Sequence, residues 1–179
     1  MFEGINEYER AFEGYLADNR IDCSAVDQAR RGFFNGQKVK TFDFIVYQAG
    51  IDRAILAEVK GKKFKGTSLA GMKGFQCWVG IDDVAGLSQW EKMLSDQSCG
   101  SVEGLFVFVY EFENIDVEND GLDVYEFQGR QYLFYCVKLS DYARAMKVRS
   151  RSWQTVTLAA DKFRELAIPL DKVLCGCKD

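Results

Sequence analysis

The stretch FDFIVYQAGIDRAILAEVKGKK, residues 42–63, reads as two apolar strands joined by a turn. Residues 41–48 and 53–60 carry the β-branched and aromatic side chains of strands, and Gly50 within AGID supplies the turn, which predicts a β-hairpin. Side chains alternate across a strand. Glu58 and Lys60 therefore share one face, while Ile55, Ala57 and Val59 share the other. Closing the hairpin sets Asp43, near the start of the first strand, opposite the end of the second. Three ionisable groups are thus expected at one end of a sheet. Burying an unpaired charge costs several kcal/mol, on the order of the whole stability of a small domain, so these groups require a partner.

Working outward, Ile5, Tyr8, Phe12, Tyr15 and Leu16 follow helical spacing and predict an amphipathic helix over residues 5–18, with Glu9 and Glu13 four apart beside its apolar face. Like charges at that spacing repel, which leaves the pair as a solvent edge or as part of a cation site. The polar segment 18–40, with Arg30, Arg31 and the run NGQK at residues 35–38, is expected to hold a short strand and a loop. Residues 69–94 read as helical, interrupted at Gly74, Gly80 and Gly86, with a capped helix starting near Asp82 or Asp83. EGLFVFVYEF, residues 103–112, is a continuous apolar run and predicts a central strand buried on both faces. After a VENDG loop at residues 117–121, LDVYEFQGRQYLFYCVKL predicts a second hairpin turning at Gln128 and Gly129. SDYARAMKV predicts a helix capped by Ser140 or Asp141, and AADKFRELAIPLDKVL a last helix ended by Pro169. This order of helices and strands, without repeat, linker or low-complexity segment, predicts an α/β fold: a single domain over residues 1–179 with a mixed central sheet flanked by helices.

The chain has no histidine. That removes Ser-His-Asp triads, Cys-His pairs and histidine metal sites, and leaves carboxylates, lysine or an oxygen-ligated metal to carry any catalysis. Six cysteines, Cys23, Cys77, Cys99, Cys136, Cys175 and Cys177, lack the C-x-x-C spacing of a zinc site and read as free thiols in a reducing compartment. No apolar run approaches the roughly 20 residues of a membrane span, and MFEGINEYER lacks the features of a signal peptide, so a cytoplasmic protein with no membrane partner is expected. The net charge of −4 is unevenly placed. Residues 103–126 carry −8, a face that would repel a duplex, whereas residues 28–102 carry +4 and residues 127–179 carry +5. The two basic clusters are KGKKFKG, residues 60–66, directly after the acid-bearing strand, and RAMKVRSRSW, residues 144–153.

A divalent cation is the partner that best fits the three charges. Mg²⁺ or Mn²⁺ takes oxygen ligands and is commonly held by one or two carboxylates together with water and phosphate oxygens. Asp43 and Glu58 on adjacent strands would supply those carboxylates. Lys60, on the same face as Glu58, would hold an attacking water and neutralise charge building on a phosphate, and Glu9 or Glu13 would complete the metal shell. The plain alternative is a buried ion-pair network with no further role.

The combination of a helical Glu, an Asp on one strand and Glu-x-Lys on the next, YERAFEGYL…FDFIV…ILAEVKGKK, resembles the PD-(D/E)xK nuclease superfamily, and in spacing its Holliday-junction-resolvase-like members. More closely, EYERAFE at residues 7–13 is similar to the signature of the HYExAFE family of bacterial proteins: Tyr8, Glu9, Ala11, Phe12 and Glu13 match, and Glu7 stands where that signature has His. WVGIDDVAGLSQWE, FVFVY and RSRSWQTV are also similar to that family. The resemblance implies a restriction-endonuclease-like core, hydrolysis of structured or branched DNA by a water bound to Mg²⁺ or Mn²⁺, and a homodimer as a frequent assembly. It implies Asp43 and Glu58 as metal ligands, Lys60 as the residue that positions water or phosphate, Glu9 rather than Glu13 as the helical acid, and Gln76 as a substrate-orienting side chain. Lys62, Lys63, Arg149 and Arg151 are the expected contacts to backbone phosphates. Trp78, Trp90 and Trp153 read as core aromatics rather than as platforms for bases. The alternative is a chain that keeps this fold and binds nucleic acid or a protein without catalysis, which the acidic 103–126 segment favours.

Overall fold

Asn6 starts the first helix. Its side-chain oxygen accepts from the Tyr8 and Glu9 N–H groups, and the Glu9 carboxylate returns to the Asn6 N–H, which closes a capping box and begins α1 (Glu7–Asp18). The computed structural model describes residues 6–27, 32–34, 37–48, 50, 52–98, 100–113, 115 and 121–175. Ile5, Arg30, Arg31, Asn35, Gly36, Ala49, Ile51, Cys99, Cys177 and residues 117–120, which enter the reading above, lie outside these.

The segment expected to be a short strand and loop holds three strands, β1 (Asp22–Ala25), β2 (Gly32–Phe34) and β3 (Gln37–Val39), the last two forming, among the described residues, a separate two-stranded sheet. The hairpin of the opening stretch is β4 (Phe44–Tyr47) and β5 (Arg53–Lys63), and Gly50 takes the positive φ of 79° that its turn needs. β5 runs past its expected end, so Lys60 lies within a strand.

In place of the expected helix, residues 69–80 hold a single 3₁₀ turn at Ala70–Met72 and a turn at Gly74, after which the chain runs on to β6 (Val79–Gly80) with the two-residue period of a strand: Phe75, Cys77 and Val79 are buried while Gln76 and Trp78 alternate with them. The helix α2 (Ile81–Gln97) then begins slightly before the expected Asp82, with the Asp83 carboxylate accepting from the Gly80 N–H at 2.8 Å. β7 (Ser101–Phe112) is the expected apolar strand, and β8 (Val124–Phe127) and β9 (Arg130–Lys138) the second hairpin. In the helix α3 (Leu139–Ala145), Lys138 occupies the cap, so Ser140 and Asp141 fall inside the first turn rather than capping it. The tail contains β10 (Lys147–Ser150), β11 (Thr155–Thr157), α4 (Ala160–Leu166), β12 (Ile168–Pro169) and α5 (Leu170–Leu174). Pro169 precedes a helix instead of ending one: its fixed φ and missing N–H suit the N-terminal cap of α5.

Among the described residues seven strands join one mixed sheet in the order β1-β4-β5-β7-β9-β12, with β8 also on β9. β5 and β7 run parallel through the middle; the β1, β4 and β9 pairings are antiparallel. One face packs Ile55, Ala57, Val59, Val107 and Phe134 against Ala11, Phe12 and Leu16 of α1. The other packs Leu56, Phe106 and Phe108 against Val84 and Leu87 of α2, Tyr142 of α3 and Phe163 of α4. The result is a mixed α/β domain with helices on both faces of a curled sheet. Gly61 lets α1 approach: a Cβ there would lie 2.1 Å from the Tyr8 ring.

Candidate functional site

Asp43 is fixed by backbone on both sides. Its N–H donates to Ala57 O at 3.1 Å, its carbonyl accepts from Val26 N–H, and its Oδ2 accepts from Val59 N–H at 2.6 Å. It sits one residue before Phe44, which pairs with Ala57, so Asp43 lies beside Glu58 across the ladder. Asp43 and Glu58 are both buried. Glu58 and Lys60 project to the face covered by α2, as the two-residue period requires. There Lys60 Nζ donates to Glu58 Oε1 at 2.7 Å and to Asp83 Oδ2 at 2.8 Å. Asp83 reaches this point because it occupies the first turn of α2, and its other oxygen accepts from Lys40 Nζ. Lys40 also lies 3.5 Å from Asp82 Oδ2. Glu9 enters from the opposite face of the sheet, at the N-terminus of α1, and is buried as well. Glu9, Asp43, Glu58, Lys60, Lys40 and Asp82 line one cleft of about 660 Å³.

The titrations follow from this crowding. Burial first, then the Asp43 carboxylate, push Glu58 up to about 8. Burial and Asp43 likewise push Glu9 up to about 7. Burial raises Asp43 too, against the Val59 N–H bond and Lys60, which pull it down. Asp83 is the exception: burial favours its acid form, but Lys60 and Lys40 outweigh that and hold it below the ordinary carboxylate range. Burial pulls Lys60 toward neutrality, and Glu58 and Asp83 more than reverse this, so it stays a cation.

Of the acids considered on α1, Glu9 lines the cleft and Glu13 does not. Lys62 is buried, contrary to the expectation of a free phosphate contact: its Nζ donates to Trp78 O at 3.1 Å and lies 3.3 Å from the centre of the Trp78 ring. The reason is register. Two residues beyond Lys60 on a central strand, Lys62 faces the same packed side, and burial with Lys60 and Arg149 nearby lowers it to about 7. Lys63 is exposed and 3.5 Å from Glu113 Oε1. Arg149 is exposed with its guanidinium 5.0 Å from the Trp78 ring, and Arg151 is exposed at the tip between β10 and β11. Gln76 is exposed, outside the cleft lining, and accepts from Trp78 Nε1. Trp78 and Trp90 are partly buried, but Trp153 is 80% exposed and no core aromatic.

Neither Asp83 nor Lys40 is expected from the sequence as a site residue. The acids of GIDD signal a helix start and nothing more, and only the packing of α2 onto β5 brings Asp83 to Lys60. Among the described residues no three acidic or thiol side chains form a preformed metal cage. The donor set nonetheless fits Mg²⁺, which needs one or two carboxylates and takes its remaining ligands from water and phosphate. No protein-family model and no curated protein matches the chain.

Proposed function

We propose that this cleft hydrolyses phosphodiester bonds of DNA with the aid of a divalent cation, Mg²⁺ or Mn²⁺. The observation that carries the reading is the meeting of Asp43, Glu58 and Lys60 in one cleft just beyond the end of the β4–β5 pairing, within β5 rather than at the expected sheet end, with Lys60 Nζ 2.7 Å from Glu58. Their order and spacing are those of the PD-(D/E)xK superfamily that the sequence resembles. Asp43 and Glu58 would hold the cation, and Glu9 lines the same cleft as a third carboxylate. When bound, the cation supplies Lewis-acid polarisation of a phosphate oxygen and acidifies a water. Lys60 acts as a donor. Kept charged by Glu58 and Asp83, it stabilises negative charge developing on the phosphate oxygens, and it does so as a mostly buried group held in place before the phosphate arrives. Lys40, at the rim, adds a second positive charge on the path of an approaching strand.

Calorimetric titration of Mg²⁺ and Mn²⁺ into the wild type and Asp43→Ala, with incubation of both on linear, nicked and four-way-junction DNA, tests the proposal. Cation binding and strand cleavage in the wild type, both lost in the variant, are expected. Binding of DNA with no cleavage of any substrate would instead favour a non-catalytic member of the same fold.

A further inference from the structure

The β10–β11 tip carries the most exposed large apolar side chain among the described residues. Trp153 is 80% exposed, and Val148 and Ile81 nearby are 62% and 45% exposed. The tip is not loose. The Trp153 N–H donates to Ser150 Oγ, the Gln154 N–H to Arg151 O, and the Ile81 N–H to Gln154 O at 2.9 Å. Gln154 takes a φ of 47°, a conformation that a side chain other than glycine adopts only when its surroundings impose it. A constrained turn therefore presents an indole to solvent.

The turn is tied to the cleft. Ile81 opens α2, and two residues later Asp83 holds Lys60. On the other side, Lys62 follows Lys60 on β5, covers Trp78, and Trp78 is shared with Arg149 of β10. Basic side chains line up from Lys60 at the cleft, past the buried Lys62, through Arg149 to Arg151, two residues before the exposed ring. Arginine beside an exposed aromatic is the chemistry of single-stranded nucleic acid recognition: the cation takes the phosphate and the ring takes the base face. A base inside a duplex has no free face to offer.

We infer that Trp153 stacks on an unpaired base of the DNA, so that the preferred substrate carries single-stranded nucleotides beside the phosphate held at Lys60. This rests on the nucleic-acid reading of the cleft and adds the class of DNA that it takes. The test is binding of the full chain, in EDTA so that nothing is cut, to fluorescein-labelled oligothymidine, to a blunt duplex, and to that duplex with a single-stranded tail. Trp153→Ala is expected to weaken binding to the oligothymidine and the tailed duplex by about 5- to 100-fold and to the blunt duplex little. Trp153→Phe should keep most of the affinity while losing the quenching of tryptophan fluorescence that oligothymidine causes in the wild type. The Arg149→Glu, Arg151→Glu double variant should weaken all three and flatten the salt dependence.

Trp153→Ala binding all three DNAs like the wild type, or losing equally on the blunt duplex, overturns the inference. So does absence of binding to any of them, or a wild-type dimer in sizing experiments that Trp153→Ala makes monomeric, since the ring would then cover a second copy. The two readings fail separately. A chain that binds tailed DNA through Trp153 but never cuts it with Mg²⁺ or Mn²⁺ loses the hydrolase, whereas one that cuts blunt and tailed DNA alike regardless of Trp153 loses only the stacking.

Discussion

Replacing Glu58 with glutamine should stabilise the protein in metal-free buffer. Burial and Asp43 raise this carboxyl from 4.5 to about 8, so the folded chain holds its proton more tightly than the unfolded chain does. The associated stability is fully present below the unfolded value and is lost as the pH climbs through the folded one. At pH 7 the climb has covered about 2.5 of those pH units, and at roughly 1.4 kcal/mol per unit the ionising Glu58 costs about 3 kcal/mol. Glutamine avoids that cost, fills the same volume and still offers Lys60 an acceptor oxygen. For a chain of this length, about 2–4 °C per kcal/mol converts it to a rise in Tm of roughly 6–12 °C. Thermal unfolding of both proteins in EDTA from pH 5 to pH 8 reads it, and the gap should close toward pH 5. Added Mg²⁺ should raise the Tm of the wild type and leave the variant almost unmoved. A variant that melts below the wild type at pH 7 to 8 in EDTA would refute the reasoning, because Glu58 would then be the stabilising half of an ion pair with Lys60.

Lys60→Met leaves Glu58 and Asp83 without their shared cation, and urea unfolding at pH 8 should show a loss of about 3–5 kcal/mol that shrinks at pH 5. Gly61→Ala drives a methyl into the Tyr8 ring and should cost about 1–3 kcal/mol; adding Tyr8→Ala should return part of it, a non-additivity that a double-mutant cycle measures. Tyr142→Phe removes the buried hydroxyl that donates to Cys77 O at 2.7 Å with Val156 O at 3.2 Å, and should destabilise by about 1–3 kcal/mol in the same assay.

Much of the scaffold was legible because its signals are local. Apolar runs fixed β5 and β7, helical spacing fixed α1, and the two-residue period put Glu58 and Lys60 on one face with Asp43 beside them. The same period applied two residues further would have buried Lys62, since a face that α2 covers at Lys60 is still covered at the next pleat. What sequence patterns do not carry is the partner that arrives from elsewhere. Asp83 caps α2 by a local bond to Gly80 and clamps Lys60 by a tertiary one, and only the first has a sequence signature. Three acids of the 103–126 segment are likewise paired with distant cations: Glu103 with Arg53 and Lys138, Glu111 with Arg130, Glu113 with Lys63. Its bare sum overstates the repulsion a duplex would meet. Trp153 was misread because a tryptophan is ordinarily core, and nothing local marks RSRSWQ as the tip between two short, bulged strands.

The charges of the cleft do not balance when every acid is ionised. Glu9, Asp43, Glu58, Asp82 and Asp83 face Lys38, Lys40 and Lys60, which leaves two negative charges uncompensated. With no cation present, Glu58 and Glu9, raised to about 8 and about 7, can take up that excess as protons. On the proposed reading a divalent cation would compete with protons for those two charges, and its affinity is expected to rise with pH until both acids have ionised. Lys60 stands outside this exchange. If Glu58 were its only anchor, protonating Glu58 would leave the buried ammonium unpaired; Asp83, which Lys40 and Lys60 keep ionised, holds the ammonium charged whichever state Glu58 is in. Asp83 thus holds the Lys60 charge independently of the protonation state of Glu58.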